Sequence, residues 1–375
     1  MPNSDDIRQV QLQCPRTLMG HYRISPKDML TELAAFTDTS LAVDHYGQGR
    51  IITDFEREIA TLLGKEAAVF MPSGTMCQQI ALRIWSERTG RQRVAFHPTC
   101  HLESHEQFGY RELHHLQGVV VGSRERLITL SDLQSLAQPV AALLLELPQR
   151  EIGGQLPSWE ELVGQTAWAH AQGSVVHLDG ARLWQCHAWF HRSYAEIAAL
   201  FDSVYVSFYK DLGGIAGAVL AGPADVISQA RVWQRRHGGN LIQLYPYVLA
   251  ARRGMQQHLD RMDAYVEKAQ AIAAALTPLP NLSLVPNPPQ TNMMHVYLQG
   301  DSERILEVAL DLSRETGIFT VARLSPTSLP NYHSFEWTVG AATLDITTEE
   351  VVHIFHEIMT RATYDTTIQS SVASE

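Results

Sequence analysis

Short apolar runs recur through the first two thirds of the chain, at 67–71, 94–96, 119–121, 141–145, 175–178, 204–208 and 218–221. Unbroken runs of this length suit strands buried on both faces. Between many of them lie segments with apolar residues at helical spacing, such as 75–86, 159–171 and 194–200. This alternation predicts an α/β unit in which a mostly parallel, seven-stranded sheet is covered by helices. Ahead of it, Thr53-Asp54-Phe55-Glu56 reads as a capping box. The helix it opens would carry Phe55, Ile59, Leu62 and Leu63 inward and stop at Gly64.

A long helical stretch at about 246–276 runs into the Pro-rich break TPLPNLSLVPNPPQ. Beyond it the pattern restarts with a strand at 293–298, a helix near 302–315, strands near Phe319 and 335–339, and a helix at 348–362. The expected division is an N-terminal segment 1–25, a large domain 26–279, a small C-terminal α+β domain 280–363 and a flexible tail 364–375. Residues 1–10 lack apolar periodicity and are expected to be mobile too.

Composition narrows the function classes. The chain has 375 residues and a net charge of −11, which argues against a nucleic-acid partner. No stretch approaches the roughly 18–20 apolar residues of a membrane span, and the polar, acidic N-terminus is not a secretory signal. Cys14, Cys77, Cys100 and Cys186 are scattered, without a CxxC pair, as in a reduced cytoplasmic protein. Only four of the 29 basic residues are lysines: Lys27, Lys65, Lys210 and Lys268.

Three features lie at the ends of expected strands, where open α/β sheets bind ligands. Pro72-Ser73-Gly74-Thr75 follows one strand and opens a helix, which makes it either a simple turn or an anion cradle. His177-Leu178-Asp179-Gly180-Ala181-Arg182 ends another; its Asp and Arg either close a turn or face a ring nitrogen and a substrate carboxylate. The third is Ser207-Phe208-Tyr209-Lys210-Asp211-Leu212-Gly213-Gly214. Lys27 and Lys268 suit polar helix faces, and Lys65 follows a helix end. Lys210 ends an apolar strand, where a desolvated amine has its pKa lowered and can form a Schiff base. Anion cradle, Asp, and a Lys 31 residues after that Asp are the parts that pyridoxal phosphate needs. A zinc reading of His97, His101, His105 and Glu106 finds i, i+4 spacing but no third ligand, so no metal is expected.

With these residues in view, the chain resembles the threonine aldolase / β-eliminating lyase family of fold-type-I pyridoxal phosphate enzymes, whose large domain has the aspartate aminotransferase-like fold. The motifs in family order are Asp44-His-Tyr-Gly47, Gly64-Lys-Glu-Ala-Ala-Val-Phe70 with Pro72-Ser-Gly-Thr75, His101 with Glu106, His177-Leu-Asp-Gly-Ala-Arg182, Tyr209-Lys-Asp-Leu-Gly213, Arg235 with Gly238-Gly239, and Thr291-Asn-Met293. The resemblance implies Lys210 as the Schiff-base lysine, Asp179 on the pyridine nitrogen, and Ser73, Gly74 and Thr75 on the phosphate. It places His101 over the ring and makes it, with Glu106, a candidate base. Arg182 would bind the substrate carboxylate and, with Ser207 and Arg235, counts among the cofactor contacts. Tyr46 and Arg235 hold positions that reach a neighbouring subunit's site in this family, which implies a homodimer or homotetramer.

The departures lie on the substrate side. The family's Ser-Asp-Thr segment is replaced by Arg16-Thr-Leu-Met-Gly-His-Tyr22, and its loop Asn and His by Glu146-Leu-Pro-Gln-Arg-Glu-Ile-Gly153. Tyr209 stands where the family prefers Ser, and Asn240 where it carries an arginine. Gln149 and Arg150 could meet a bulkier or more polar side chain, and Arg323 could replace a missing carboxylate-binding arginine. The expected activity is cleavage of the Cα–Cβ bond of a β-hydroxy-α-amino acid to glycine and an aldehyde. β-Elimination, racemisation or transfer on an amino acid remains open, as does a non-catalytic protein that binds the cofactor or an amino acid.

Overall fold

The structure is a computed structural model that describes residues 3–372, with side chains through Ala362. The chain forms two compact units. One is Ile24–Arg261; the flanks, through Arg23 and from Met262 on, make the other.

The larger unit is built on a seven-stranded sheet. Its strands are β1 (Ala67–Met71), β2 (Arg93–Phe96), β3 (Gln117–Val120), β4 (Ala142–Glu146), β5 (Val175–Gly180), β6 (Ser203–Ser207) and β7 (Ala218–Gly222). They lie in the order β1-β7-β6-β5-β4-β2-β3. Only β7 runs antiparallel to its neighbours, β1 and β6. The mostly parallel α/β expectation therefore holds, with seven strands. β4 to β7 are buried almost throughout, as unbroken Val, Leu and Ala runs require. β3 is the exception: it pairs only with β2, and Val120 is 53% exposed, so this run forms an edge and not a two-faced core strand.

The parallel strands bring the C-terminal ends of β1, β4, β5 and β6 to one edge of the sheet, just ahead of Ser73, Gln149, Ala181 and Lys210. Two helical stretches differ from the sequence reading. The helix before β1 spans Arg50–Leu62 with Gly49 as its cap, so Thr53 lies inside it and forms no capping box. Glu56 turns into the core instead, accepting the Phe70 N–H (2.8 Å) and two Arg231 N–H bonds (3.0 and 2.6 Å). Tertiary demand for a partner outweighs the local cap. The stretch expected at 246–276 is also two helices, Tyr245–His258 and Met262–Leu276, joined by a 3₁₀ turn at Leu259–Arg261.

That turn is where the units divide, earlier than the expected boundary near 280. Met262–Leu276 packs on the Thr348–Val372 helix, burying Tyr265, Val266, Ile272 and Leu276, so it belongs to the second unit and the Pro-rich break lies inside that unit. The second unit is α+β: a four-stranded antiparallel sheet, Ser325–Pro326, Tyr332–Thr338, Met293–Gln299 and Leu282–Val285 in that order, with helices packed against it. The N-terminal segment joins it as well. Arg16–Thr17 pairs in parallel with Ile318–Phe319, and the Leu18 carbonyl accepts from Trp337 Nε1 (2.9 Å) and Thr343 Oγ1 (2.8 Å).

The expected loose N-terminus is a helix, Ser4–Gln13, capped by Asn3 Oδ1 on the Asp6 N–H (2.8 Å). Val10 anchors it on Leu310 and Phe319, a contact too small to show as periodicity. The last helix runs on to Val372, past the expected stop at 362; positions 373–375 of the expected tail, like Met1 and Pro2, lie outside the described residues. Among the described residues no helix is long and apolar enough to cross a membrane.

Candidate active site

β1 delivers the chain into the Gly74–Thr89 helix at Ser73, whose extended backbone caps the helix while its hydroxyl makes no capping bond. The first-turn N–H groups of a helix this long favour an anion. Gly74 is required by close approach: a Cβ there would sit 1.9 Å from Tyr205 Oη. The Tyr205 ring therefore stands beside the helix start.

Asp179 ends β5, buried, with Oδ1 accepting the Ala181 N–H (3.1 Å) and Oδ2 accepting from Gln78 Nε2. Ser207 is buried and its hydroxyl donates to the Ala181 carbonyl (2.8 Å). It therefore ties the ends of β5 and β6 together and does not present the free donor expected of a cofactor contact. Lys210 follows β6 and is half-buried, its Nζ 5.9 Å from the centre of the Tyr209 ring. Burial, and then the Arg182 charge, pull its amine below the ordinary value, while Asp179, Glu146 and Asp211 act in the other direction. A lysine with a lowered pKa has more of its neutral, nucleophilic form at neutral pH.

His101 opens the short helix His101–Ser104 and is half-buried. Its Nδ1 bonds Glu106 Oε1 at 2.9 Å, and Gln79 Nε2 donates to the other Glu106 oxygen at 3.3 Å. The two base candidates named from the resemblance, His101 and Glu106, are thus in direct contact. A buried carboxylate on one ring nitrogen fixes the tautomer and leaves Nε2 to take a proton. His105 lies against it, ring centres 5.0 Å apart and planes tilted by 43°, and bonds Glu151 at 2.8 Å. Arg150 donates to the same Glu151 oxygen at 2.8 Å, which makes a charged cluster of His105, Arg150 and Glu151 beside His101.

Gln149 departs from its expected place. It is buried, and its amide donates to Glu146 Oε2 (3.0 Å) and Thr99 Oγ1 (3.4 Å) instead of meeting a substrate. Glu146 pairs in register with Asp179 across β4 and β5, and Glu146 also accepts the Arg150 N–H at 3.2 Å. Burial, and then the Asp179 charge, push its carboxyl well above the usual range. A cavity of about 20 Å³, large enough for one water, lies beside Glu146, Gln149, His97 and Cys100.

Tyr46 and Arg235 come together elsewhere, lining a cavity of about 180 Å³ with Gly47, Ile52, Arg231 and Asn240. Tyr46 is 57% exposed and holds a left-handed backbone (φ 51°). Its loop is pinned by Asp44, fully buried, which accepts the N–H groups of Gly47, Leu244 and Tyr245 at 2.9–3.1 Å. Arg323 is exposed and belongs to the second unit.

The profile of the β-eliminating lyase family matches residues 32–301. The chain belongs to the threonine aldolase / β-eliminating lyase family. Among solved structures it is similar to a protein described as a candidate L-allo-threonine aldolase from Listeria monocytogenes. The two are 42% identical, with a TM-score of 0.91 over 95% of this chain and 99% of that one. The low-specificity L-threonine aldolase 1 of Arabidopsis thaliana is 26% identical over 310 residues, 79% of this chain and 85% of its own. An aldolase of Penicillium aethiopicum is 32% identical over 229 residues, so the match spans 59% of this chain and 58% of that protein. The fold described above is accordingly the fold type I of this family.

Three residues at the site were given no role by the sequence reading. Gln78 lies four positions past Gly74, on the inner face of the helix. His177 is two positions before Asp179 and so on the same face of β5, a period-two signal that was available. Glu146 ends an apolar run, as Asp179 and Lys210 do.

Proposed function

We propose that this chain is a pyridoxal-phosphate-dependent lyase that cleaves the Cα–Cβ bond of a β-hydroxy-α-amino acid to glycine and an aldehyde. The observation that carries this reading is the helix start at Ser73, the buried Asp179 carboxylate and the Lys210 amine, gathered at one sheet edge. The residues fit the cofactor in chemistry as well as position. Ser73, Gly74 and Thr75 would hold its phosphate, Asp179 its ring nitrogen, and Lys210 its aldehyde carbon. When bound, it supplies an electron sink for the pair released at Cα.

Arg182 takes the substrate carboxylate, a task suited to a planar guanidinium fork. His101 accepts the proton of the β-hydroxyl at Nε2, and Glu106 on Nδ1 orients the ring and stabilises it once protonated. Arg150, with His105 and Glu151, faces the distal end of the substrate. A homodimer or homotetramer, with Tyr46 and Arg235 serving a neighbouring subunit's site, is supported by the exposed Val43, Tyr46, Leu241 and Ile242. Tyr46 N–H bonds the Ile242 carbonyl (3.0 Å), so these residues share one face. Four free thiols, three of them buried, support a cytoplasmic location.

The test is direct. The purified protein should be yellow, bleach on borohydride reduction, and release glycine from one or more of a panel of β-hydroxy amino acids. Lys210→Ala should lose both the colour and the turnover. A colourless protein that takes up no pyridoxal phosphate overturns the cofactor assignment. Coloured protein that forms pyruvate and ammonia, but no glycine, overturns the bond assignment alone.

A further inference from the structure

Behind Asp179, buried side chains form one hydrogen-bonded file. Trp85 Nε1 donates to Ser203 Oγ at 2.8 Å, and Ser203 Oγ lies 2.7 Å from His177 Nδ1. His177 Nε2 lies 2.7 Å from Gln78 Oε1, and Gln78 Nε2 donates to Asp179 Oδ2. Ser203 and His177 are fully buried, Gln78 and Asp179 nearly so.

The two ends of the file fix its direction. An indole N–H can only donate and a carboxylate oxygen can only accept. Gln78 must therefore turn its NH₂ toward Asp179, which leaves its carbonyl to accept from His177 Nε2–H. Nδ1 of His177 is then an acceptor of the Ser203 O–H bond, and the Ser203 oxygen accepts the indole N–H. Every donor points toward Asp179. Aligned bonds of this kind polarise one another, and the low dielectric strengthens the last of them. Burial holds His177 neutral, its pKa pushed down to about 3, so the file keeps one tautomer across the working pH range. The members come from three elements: Trp85 and Gln78 from one face of the Gly74–Thr89 helix, His177 and Asp179 from β5, and Ser203 from β6.

Resting on the cofactor reading above, we infer that Gln78 and His177 are positioning residues. They hold Asp179 as an oriented anion and so set how tightly the protein grips a protonated pyridine nitrogen. The helix that starts at the phosphate cradle thus also supplies the donor that steadies the ring-nitrogen partner, coupling the two ends of the cofactor through Gly74 and Gln78.

The test compares two ligands on apo-protein: pyridoxal phosphate, and its carbocyclic analogue with CH in place of the ring nitrogen. Affinities are read by absorbance and fluorescence titration, with a melting curve for each variant. Gln78→Met should weaken pyridoxal phosphate by about tenfold, the worth of one charge-assisted hydrogen bond, and leave the analogue nearly unchanged. Trp85→Phe removes only the far donor and should weaken pyridoxal phosphate by about twofold, again without affecting the analogue. It keeps the inference testable should Gln78→Met fail to fold. Equal losses for both ligands, or no loss for either, would overturn the positioning role. Wild-type protein that binds the analogue but not pyridoxal phosphate would overturn it too, whereas binding of neither defeats the cofactor reading itself.

Discussion

His114 offers a sharp test of the electrostatics of the larger unit. The ring is buried, and neither nitrogen has a hydrogen-bond partner among the described residues. It stacks on His237 (centres 5.0 Å apart, 26° between planes) and meets Trp233 edge-on at 5.7 Å. Burial, then His237 and Arg83, push its pKa from 6.5 down to about 4. The folded state therefore prefers the neutral ring, while the unfolded chain takes up a proton as pH falls through 6.5. Stability must drop between those two values and level off below the lower one. Linkage across this window gives a loss of about 2 kcal/mol between pH 7 and pH 5 from this residue alone. His114→Phe keeps a ring for the stack and removes the titration, so its melting temperature should fall less on acidification. For a cooperative block of this size the difference from wild type is about 3–5 °C. Melting curves at pH 7 and pH 5, at fixed ionic strength and without cofactor, supply the measurement. An unchanged pH 7-to-5 drop in His114→Phe would refute the linkage. A loss of more than about 2 kcal/mol at pH 7 would show that the ring nitrogens are satisfied after all.

Three further outcomes follow from the same geometry. Gly74→Ala drives a methyl into Tyr205 Oη and should cost about 1–3 kcal/mol of stability, with weaker uptake of pyridoxal phosphate in titration. Arg231→Ala strips Glu56 of both guanidinium bonds and leaves a buried carboxylate held by the Phe70 N–H alone; denaturant unfolding should show a loss of about 2–3 kcal/mol. Glu146→Gln removes an acid whose protonated form the fold favours. Wild-type apo-protein should lose stability as pH rises above the ordinary carboxyl range, and the variant should resist that loss, read as a higher melting temperature at pH 9 than wild type.

Local sequence determined the parts of this protein that rest on local physics. Unbroken apolar runs are legible as buried strands because each must bury both faces, and β4, β5, β6 and β7 all lie within two residues of the expected bounds. The strand-end position of Ser73, Asp179 and Lys210 was readable for the same reason, since parallel topology sends the ends of such runs to one edge. Scarcity of lysine helped: with four in the chain and three on helix faces or ends, Lys210 stood out. His101 and Glu106 are named together through the family resemblance and not through their spacing; their 2.9 Å contact is a feature of the folded chain.

Only the tertiary structure decided which polar groups meet. Glu56 looked like a capping residue, but Phe70 and Arg231, 14 and 175 positions away, claim its carboxylate. Gln149 looked like a substrate contact, yet Glu146 and Thr99 hold it inward. The file from Trp85 to Asp179 joins residues 85, 203, 177, 78 and 179, an order that no periodicity encodes. Apolar burial is non-directional and sums along a segment, so it leaves a pattern in the sequence. A hydrogen bond needs one partner at one distance and angle, and a strand crossover or helix packing brings that partner from anywhere in the chain.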